Sequence, residues 1–346
     1  MTSAFLSARL VVDTAALVAN WRTFATASGA AETGAAIKAN GYGLGARPVM
    51  QALAAAGCRD MFVAHWSEVA ALGPLPDGVG VAVLHGVAPA DIPAALALPA
   101  RPVLVSAAQV MAWRSTGRPC DVMVDTGINR LGLSPAEAVS GLLDGLDIDT
   151  LHSHLACAEQ PEHPLNAVQC ADFTALAGRI PARRRALANS GGITLGRDYR
   201  FDLTRPGIGL YGGGAGPDGA VLAPVASIEA PIMQVRNVAA GESVGYGATF
   251  VATRPTRVAV VALGYADGYP RSASGRGSMF VAGVRCPLIG RVSMDMTCFD
   301  VTDAPSVAAD TMIAVDFDLA SLAAASGRSQ YELLTGLGAR YARVYR

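Results

Sequence analysis

The chain has almost no lysine. Lys38 is the only one in 346 residues, and the other 26 of its 27 basic residues are arginines. Charge of any kind is sparse, at 16% Asp, Glu, Lys and Arg, and the net charge is −1. No basic stretch is longer than Arg183–Arg185. Nucleic acid and anionic membrane surfaces are therefore poor partners. No uninterrupted apolar run is long enough to cross a bilayer. The N-terminal "MTSAFLSARLVVDTAALVANW" has no basic segment ahead of its apolar residues and meets Asp13 early. Neither a signal peptide nor a membrane partner is expected, and a cytoplasmic location is. The six cysteines, at 58, 120, 157, 170, 286 and 298, include no CxxC pair. Free thiols are expected, with no disulfide framework and no metal site.

What is present gives the solitary lysine a context. "GAAIKANGYG", residues 34–43, places it at the end of an apolar run and just before a turn. An arginine guanidinium does not give up its proton in proteins, whereas a free primary amine does, and can then form a Schiff base with a carbonyl. Coding bias accounts for the scarcity of lysine elsewhere. It does not account for the survivor's position.

Apolar residues make up 51% of the chain, and the length suits one large domain plus a smaller one. Short β-rich runs at 34–39, 60–66, 79–86, 101–106, 120–127, 146–156, 184–192 and 203–213 alternate with helical patterns such as "ARPVMQALAAAG" and "LNAVQCADFTALAGRI". Eight such units predict an α/β domain, an N-terminal (β/α)8 barrel of TIM type, with a doubly wound sheet as the alternative. Beyond about residue 222 the runs become short and β-branched with Gly and Pro between them, the texture of a smaller, mainly antiparallel β-domain. The expected domains are 10–222 and 223–346, with residues 1–9 packing with the second.

Functional side chains of such barrels gather where strands end. Lys38, Tyr42, Arg130, His154, Asn189, Ser190 and Arg205 all fall there. Singly each has an ordinary structural explanation, a buried histidine or a turn residue. Together they describe a site for an anionic ligand. The small-residue turns Asn189–Gly192 and Pro206–Gly209 offer backbone N–H groups to a phosphate. A lysine beside phosphate-binding turns suggests pyridoxal 5'-phosphate.

Here a family resemblance becomes specific. "AAIKANGYGLG" resembles the cofactor-lysine signature of the alanine racemase family. "DTGINRLG", "HSHLACAE", "ANSGG", "RPGIGLYG", "VGYGATF", "LGYADGYPR" and "GRVSMDM" resemble its further motifs, in order, along nearly the whole chain. The resemblance implies a pyridoxal phosphate-dependent isomerase that interconverts L- and D-alanine and supplies D-alanine for peptidoglycan. It implies that Lys38 carries the cofactor and is one of two catalytic bases, with Tyr246 the other. Tyr42, Ser190, Gly207 and Ile208 would contact the phosphate. Arg205 would face the pyridine nitrogen, supported by His154, and Arg130 would contact the cofactor's phenolic oxygen and the substrate carboxylate. Tyr265, Ser293, Met294 and Asp295 would line the substrate entrance from the partner subunit of a homodimer with shared sites.

Two departures stand out. Many members of the family carry a carbamylated lysine where this chain has Met123, so Arg130 needs another support. The phosphate-binding tyrosine that some members carry near the C-terminus aligns with Ala339, leaving Tyr341 as a substitute. Three rival readings are a racemase of broader amino-acid range, a barrel-type decarboxylase, and a non-catalytic carrier of the cofactor. The tyrosine of "VGYGATF" argues against the decarboxylase, and the β-domain argues against the carrier.

Overall fold

The computed structural model describes residues 6–346. Two compact units make up the chain. One is Leu17–Ala223; the other is Pro224–Arg346 together with the N-terminal stretch through Ala16.

In the first unit seven parallel strands run in chain order: Ala35–Ala36, Asp60–Val63, Gly80–Val83, Arg101–Leu104, Cys120–Met123, Ile148–His152 and Arg184–Ala186. An eighth, Leu203–Thr204, pairs with Glu32–Thr33, just ahead of the first. Backbone bonds close the ring on both sides of this short strand. Asp202 N and Arg205 N donate to the carbonyls of Arg185 and Ala188, and Gly34 N and Ala36 N donate to those of Thr204 and Pro206. Gly34 is required at the seam, because a Cβ there would lie 2.7 Å from the Asp60 carbonyl oxygen. The eightfold α/β ring expected from the alternating pattern is therefore present, its last strand reduced to two residues.

Alternation along each strand sorts side chains between helices and lumen. Val122 and Val124 join Leu151, Phe173 and Leu176 in the core beneath the helices. Asp121 points the other way and belongs to an ionic network at the strands' N-terminal ends. There Arg184 pairs with Glu32, Asp60 and Asp149, and Arg101 with Asp121 and Asp149. Fully buried His152 meets Asp121 at 3.2 Å. With this end closed by paired charges, the opposite end is left to hold a site.

In the second unit the 13-residue strand Ala226–Val238 does double service. Its first half pairs with Met312–Val315 and its second half with Thr256–Val261, the register shifting between Ile232 and Gln234. Thr297–Asp300, Val284–Ile289 and Ser278–Val281 complete a closed antiparallel ring. Arg9–Val12 adds to the same sheet beside Ala226–Val238, with Ala342–Tyr345 parallel to it on its other side. Among the described residues no helix is long and apolar enough to cross a membrane.

Candidate active site

Lys38 follows the first barrel strand and opens an unusual turn. Ala39, Asn40, Gly41 and Tyr42 all have left-handed backbone, with φ of 53°, 55°, 62° and 53°. For an L-residue this conformation costs roughly 1–2 kcal/mol, and three of the four are not glycine. The turn persists because its hydrogen bonds are made. Gly41 N, Gly43 N and Gly45 N donate to the carbonyls of Ile37, Ala39 and Asn40, each at 2.8 Å. The Asn40 side chain accepts from Ala46 N. Ala39 N donates to Glu68 Oε1 at 2.5 Å. The left-handed winding turns the buried Tyr42 ring against Tyr211 at 4.5 Å.

The residues marked from the sequence in the barrel unit do converge. Arg130 and Arg205 lie close enough to Lys38 and His154 to lower the proton affinity of both. Burial, then the positive charges of Arg130 and Arg205, lower the proton affinity of Lys38, while Glu68 opposes them. His154 is pushed down to about 3 by burial and by Arg205, Arg130 and Lys38, so its ring is neutral at pH 7. Burial lowers Arg205 to about 10, with Asp121 opposing, and leaves it a cation at neutral pH. Burial raises Tyr42 to about 12, which keeps its phenol protonated.

Ser190 and the 206–209 turn form one unit. Ser190 Oγ accepts from Gly207 N at 2.9 Å and Gly209 N at 3.2 Å, so its own O–H is left to donate to a ligand. A Cβ on Gly207 would meet the Tyr42 hydroxyl at 2.3 Å, so only glycine admits that hydroxyl. Ile208 is buried beside it. Asn189 caps the short helix Ser190–Thr194 by accepting from Gly192 N. Arg205 Nη2 donates to the carbonyls of Ser153 and Leu187, but its Nε has no partner among the described residues.

Arg130 is exposed, and Met123, in the place of the family's carbamylated lysine, is buried and uncharged. The arginine's backbone is set by Asp125 instead. That carboxylate accepts from Gly127 N, Asn129 N and Arg130 N. These amides hold its pKa below the usual carboxylate range against the opposing effect of burial.

Tyr246, Tyr265, Ser293, Met294 and Asp295 belong to the other unit, where they line one open cavity with Arg271 and Arg291. Tyr246 is 72% exposed. Gly264 lets the Tyr265 loop approach the 293–296 loop, since a Cβ there would lie 2.3 Å from the Met294 carbonyl oxygen. Tyr265 N and Ala266 N then donate to the carbonyls of Ser293 and Met294. Arg340, which the sequence reading left without a role, ties the two loops by bonding both oxygens of Asp267 and one of Asp295. Tyr341, the substitute suggested for the phosphate tyrosine, belongs to this second unit. It is 5% exposed, and its hydroxyl is enclosed with no partner among the described residues.

Comparison with known proteins agrees with this arrangement. The family model "Alanine racemase, N-terminal domain" matches residues 12–215, and "Alanine racemase, C-terminal domain" matches 225–345. A relative from Methylobacterium nodulans named alanine racemase is 43% identical, the match covering 98% of this chain and 96% of that one. A catabolic alanine racemase of Agrobacterium fabrum is also 43% identical, over 98% and 92%. The crystal structure of alanine racemase from Bartonella henselae with covalently bound pyridoxal phosphate superposes with a TM-score of 0.90 at 34% identity, covering 99% of this chain and 100% of that one. The biosynthetic enzyme of Pseudomonas aeruginosa gives 0.89 at 34%, with the same coverage. Matched over nearly its whole length and in both units, the chain belongs to the alanine racemase family.

Proposed function

We propose that the protein is a pyridoxal phosphate-dependent racemase that interconverts L- and D-alanine. The observation that carries this reading is the position of its only lysine, at a barrel strand's end among Arg130, Arg205 and His154, with its proton affinity lowered. The site fits the cofactor. Ser190 O–H and the Tyr42 hydroxyl would hold the phosphate beside the Gly207–Ile208 turn, whose Gly207 N–H is already given to Ser190 Oγ, and the unpartnered Nε of Arg205 is free to face the pyridine nitrogen. When bound, the cofactor supplies a conjugated ring that draws electrons from the substrate's Cα–H bond.

The chain's own groups manage the proton. Lys38 Nζ serves one face of the substrate and Tyr246 Oη the other, so that a proton removed from one side is returned on the opposite side. A lysine with lowered proton affinity has more free amine near neutral pH, as a base requires. Arg205 stays cationic and donates, which disfavours a proton on the pyridine nitrogen. Neutral His154 adds no charge beside it. Arg130 binds the substrate carboxylate.

We propose also that the barrel unit is the cofactor domain and that the protein is a homodimer with shared sites. Exposed Tyr246 of one protomer would serve the Lys38 of the other, and Tyr265, Ser293, Met294 and Asp295 would line the route in. The family resemblance and the exposure of Tyr246 support this. We place the enzyme in the cytoplasm, supplying D-alanine for peptidoglycan. To test the activity, purified protein is incubated with pyridoxal phosphate and single L-amino acids, and enantiomer ratios are read. L-Alanine should reach a 1:1 mixture fastest. No D-alanine would end the proposal, and a faster rate on another amino acid would change the substrate.

A further inference from the structure

We propose that Glu68 is a positioning residue for Lys38, pinning the left-handed turn behind the lysine and placing a negative charge beside its amine. Glu68 looks like an ordinary surface charge, being the third residue of the short helix Trp66–Leu72. Its carboxylate instead spans two barrel strands' ends. Oε1 accepts from Ala39 N at 2.5 Å. Oε2 accepts from Ala64 N at 2.6 Å and His65 N at 3.2 Å, where the second strand runs out. Ala39 follows Lys38 directly and is the first residue with left-handed backbone. Its N–H thus has a carboxylate acceptor from the neighbouring strand's end at the point where the backbone changes hand. Charge-assisted bonds of this kind are the strong ones.

The same carboxylate enters the charge balance at Lys38. The groups facing the amine come from five strand ends. Arg130 and Arg205 are positive, His85 and His154 titrate, and Glu68 alone among those named is acidic. Two arginines favour loss of the lysine's proton, and Glu68 restrains it. A carboxylate fixed by three backbone amides cannot swing away, so the restraint is built into the fold.

This inference rests on reading Lys38 as the cofactor's lysine, yet it can be tested without turnover. The whole chain holds one lysine, so the full-length protein labelled with isotopic lysine gives a single side-chain signal. The protein is freed of cofactor with hydroxylamine, and that signal is followed against pH in the native sequence and in Glu68→Gln. Hydrogen exchange at the Ala39 amide is read on the same samples and on the loaded enzyme. We expect the lysine to titrate at lower pH in Glu68→Gln, because its negative neighbour is gone. We expect Ala39 to exchange about tenfold faster or more, because glutamine leaves one uncharged acceptor oxygen where the carboxylate serves three amides with two, and its NH2 cannot accept. A titration that stays put or moves upward overturns the proposal, since a merely loosened turn would expose the amine and raise its midpoint. Unchanged exchange at Ala39 overturns it equally. If Glu68→Gln does not fold, Glu68→Asp decides. Its charge is kept but its reach is one methylene short, so Ala39 exchange must still accelerate, and native-like protection there counts against us. Failure here leaves the racemase reading standing, and failed racemisation leaves this result standing.

Discussion

Tyr42 and Tyr211 stack with ring centroids 4.5 Å apart, and the Tyr211 hydroxyl donates to the Ala36 carbonyl at 2.9 Å, two residues before Lys38. Tyr211 thus ties the strand that ends at the lysine to the turn that carries Gly207 and Ile208. Tyr211→Phe keeps the stack and removes the bond. We expect about 1 kcal/mol of lost stability, the usual worth of a buried hydrogen bond, together with weaker cofactor binding. Thermal melts and a fluorescence titration with pyridoxal phosphate would check it. A variant equal to the native protein in both would remove Tyr211 from this role.

The histidines give a pH dependence with a definite sign. His154 titrates at about 3 in the folded chain, and an unfolded histidine at about 6.5. Between those values the unfolded chain binds a proton that the folded one refuses, so stability is full above the unfolded value and falls as pH drops through the window. His152 is lowered too, by burial, with its Asp121 hydrogen bond opposing, and acts in the same direction. The cofactor-free protein should lose up to about 1.4 kcal/mol per pH unit per histidine on the way down from pH 6.5. Denaturant midpoints for the native protein and His154→Asn would show it, the variant giving the shallower slope. Equal slopes would contradict the assignment.

Shared sites make a prediction about mixtures. Lys38→Ala and Tyr246→Phe should each be nearly inactive alone. Co-expressed at equal levels, half of the dimers are mixed, each with one intact site, so about one quarter of native activity should return. An isolated mixed dimer with no activity would mean that each site is built within one chain.

How much of this was legible varies with the physics behind each element. Runs such as "DMFVAHW" and "CDVMVDTG" showed their strands because buried parallel strands are continuously apolar, and the structure has strands at Asp60–Val63 and Cys120–Met123. Lys38 stood out by rarity, and Ser190 and Gly207 by small-residue turns. The left-handed turn was not legible. Ala39 and Tyr42 have no preference for positive φ, and bonds within the closed turn together with contacts from Glu68 and Tyr211 hold them there. Glu68 and Arg340 were missed for a related reason. Each looks like a solvated charge in sequence, and its function comes from partners 29 to 73 residues away. Asp125 was visible inside "DTGINRLG", but its role as an acceptor for three amides appears only once the loop has closed.

The central claim is that the one lysine carries the cofactor, and chemical trapping tests it most directly. The protein is equilibrated with pyridoxal phosphate, reduced with borohydride, digested and mapped. We expect a yellow protein that bleaches on reduction and a single modified peptide, the one containing Lys38, with Lys38→Arg colourless and inactive. A label on any other group, the N-terminal amine included, or a native protein that binds no chromophore, would contradict it.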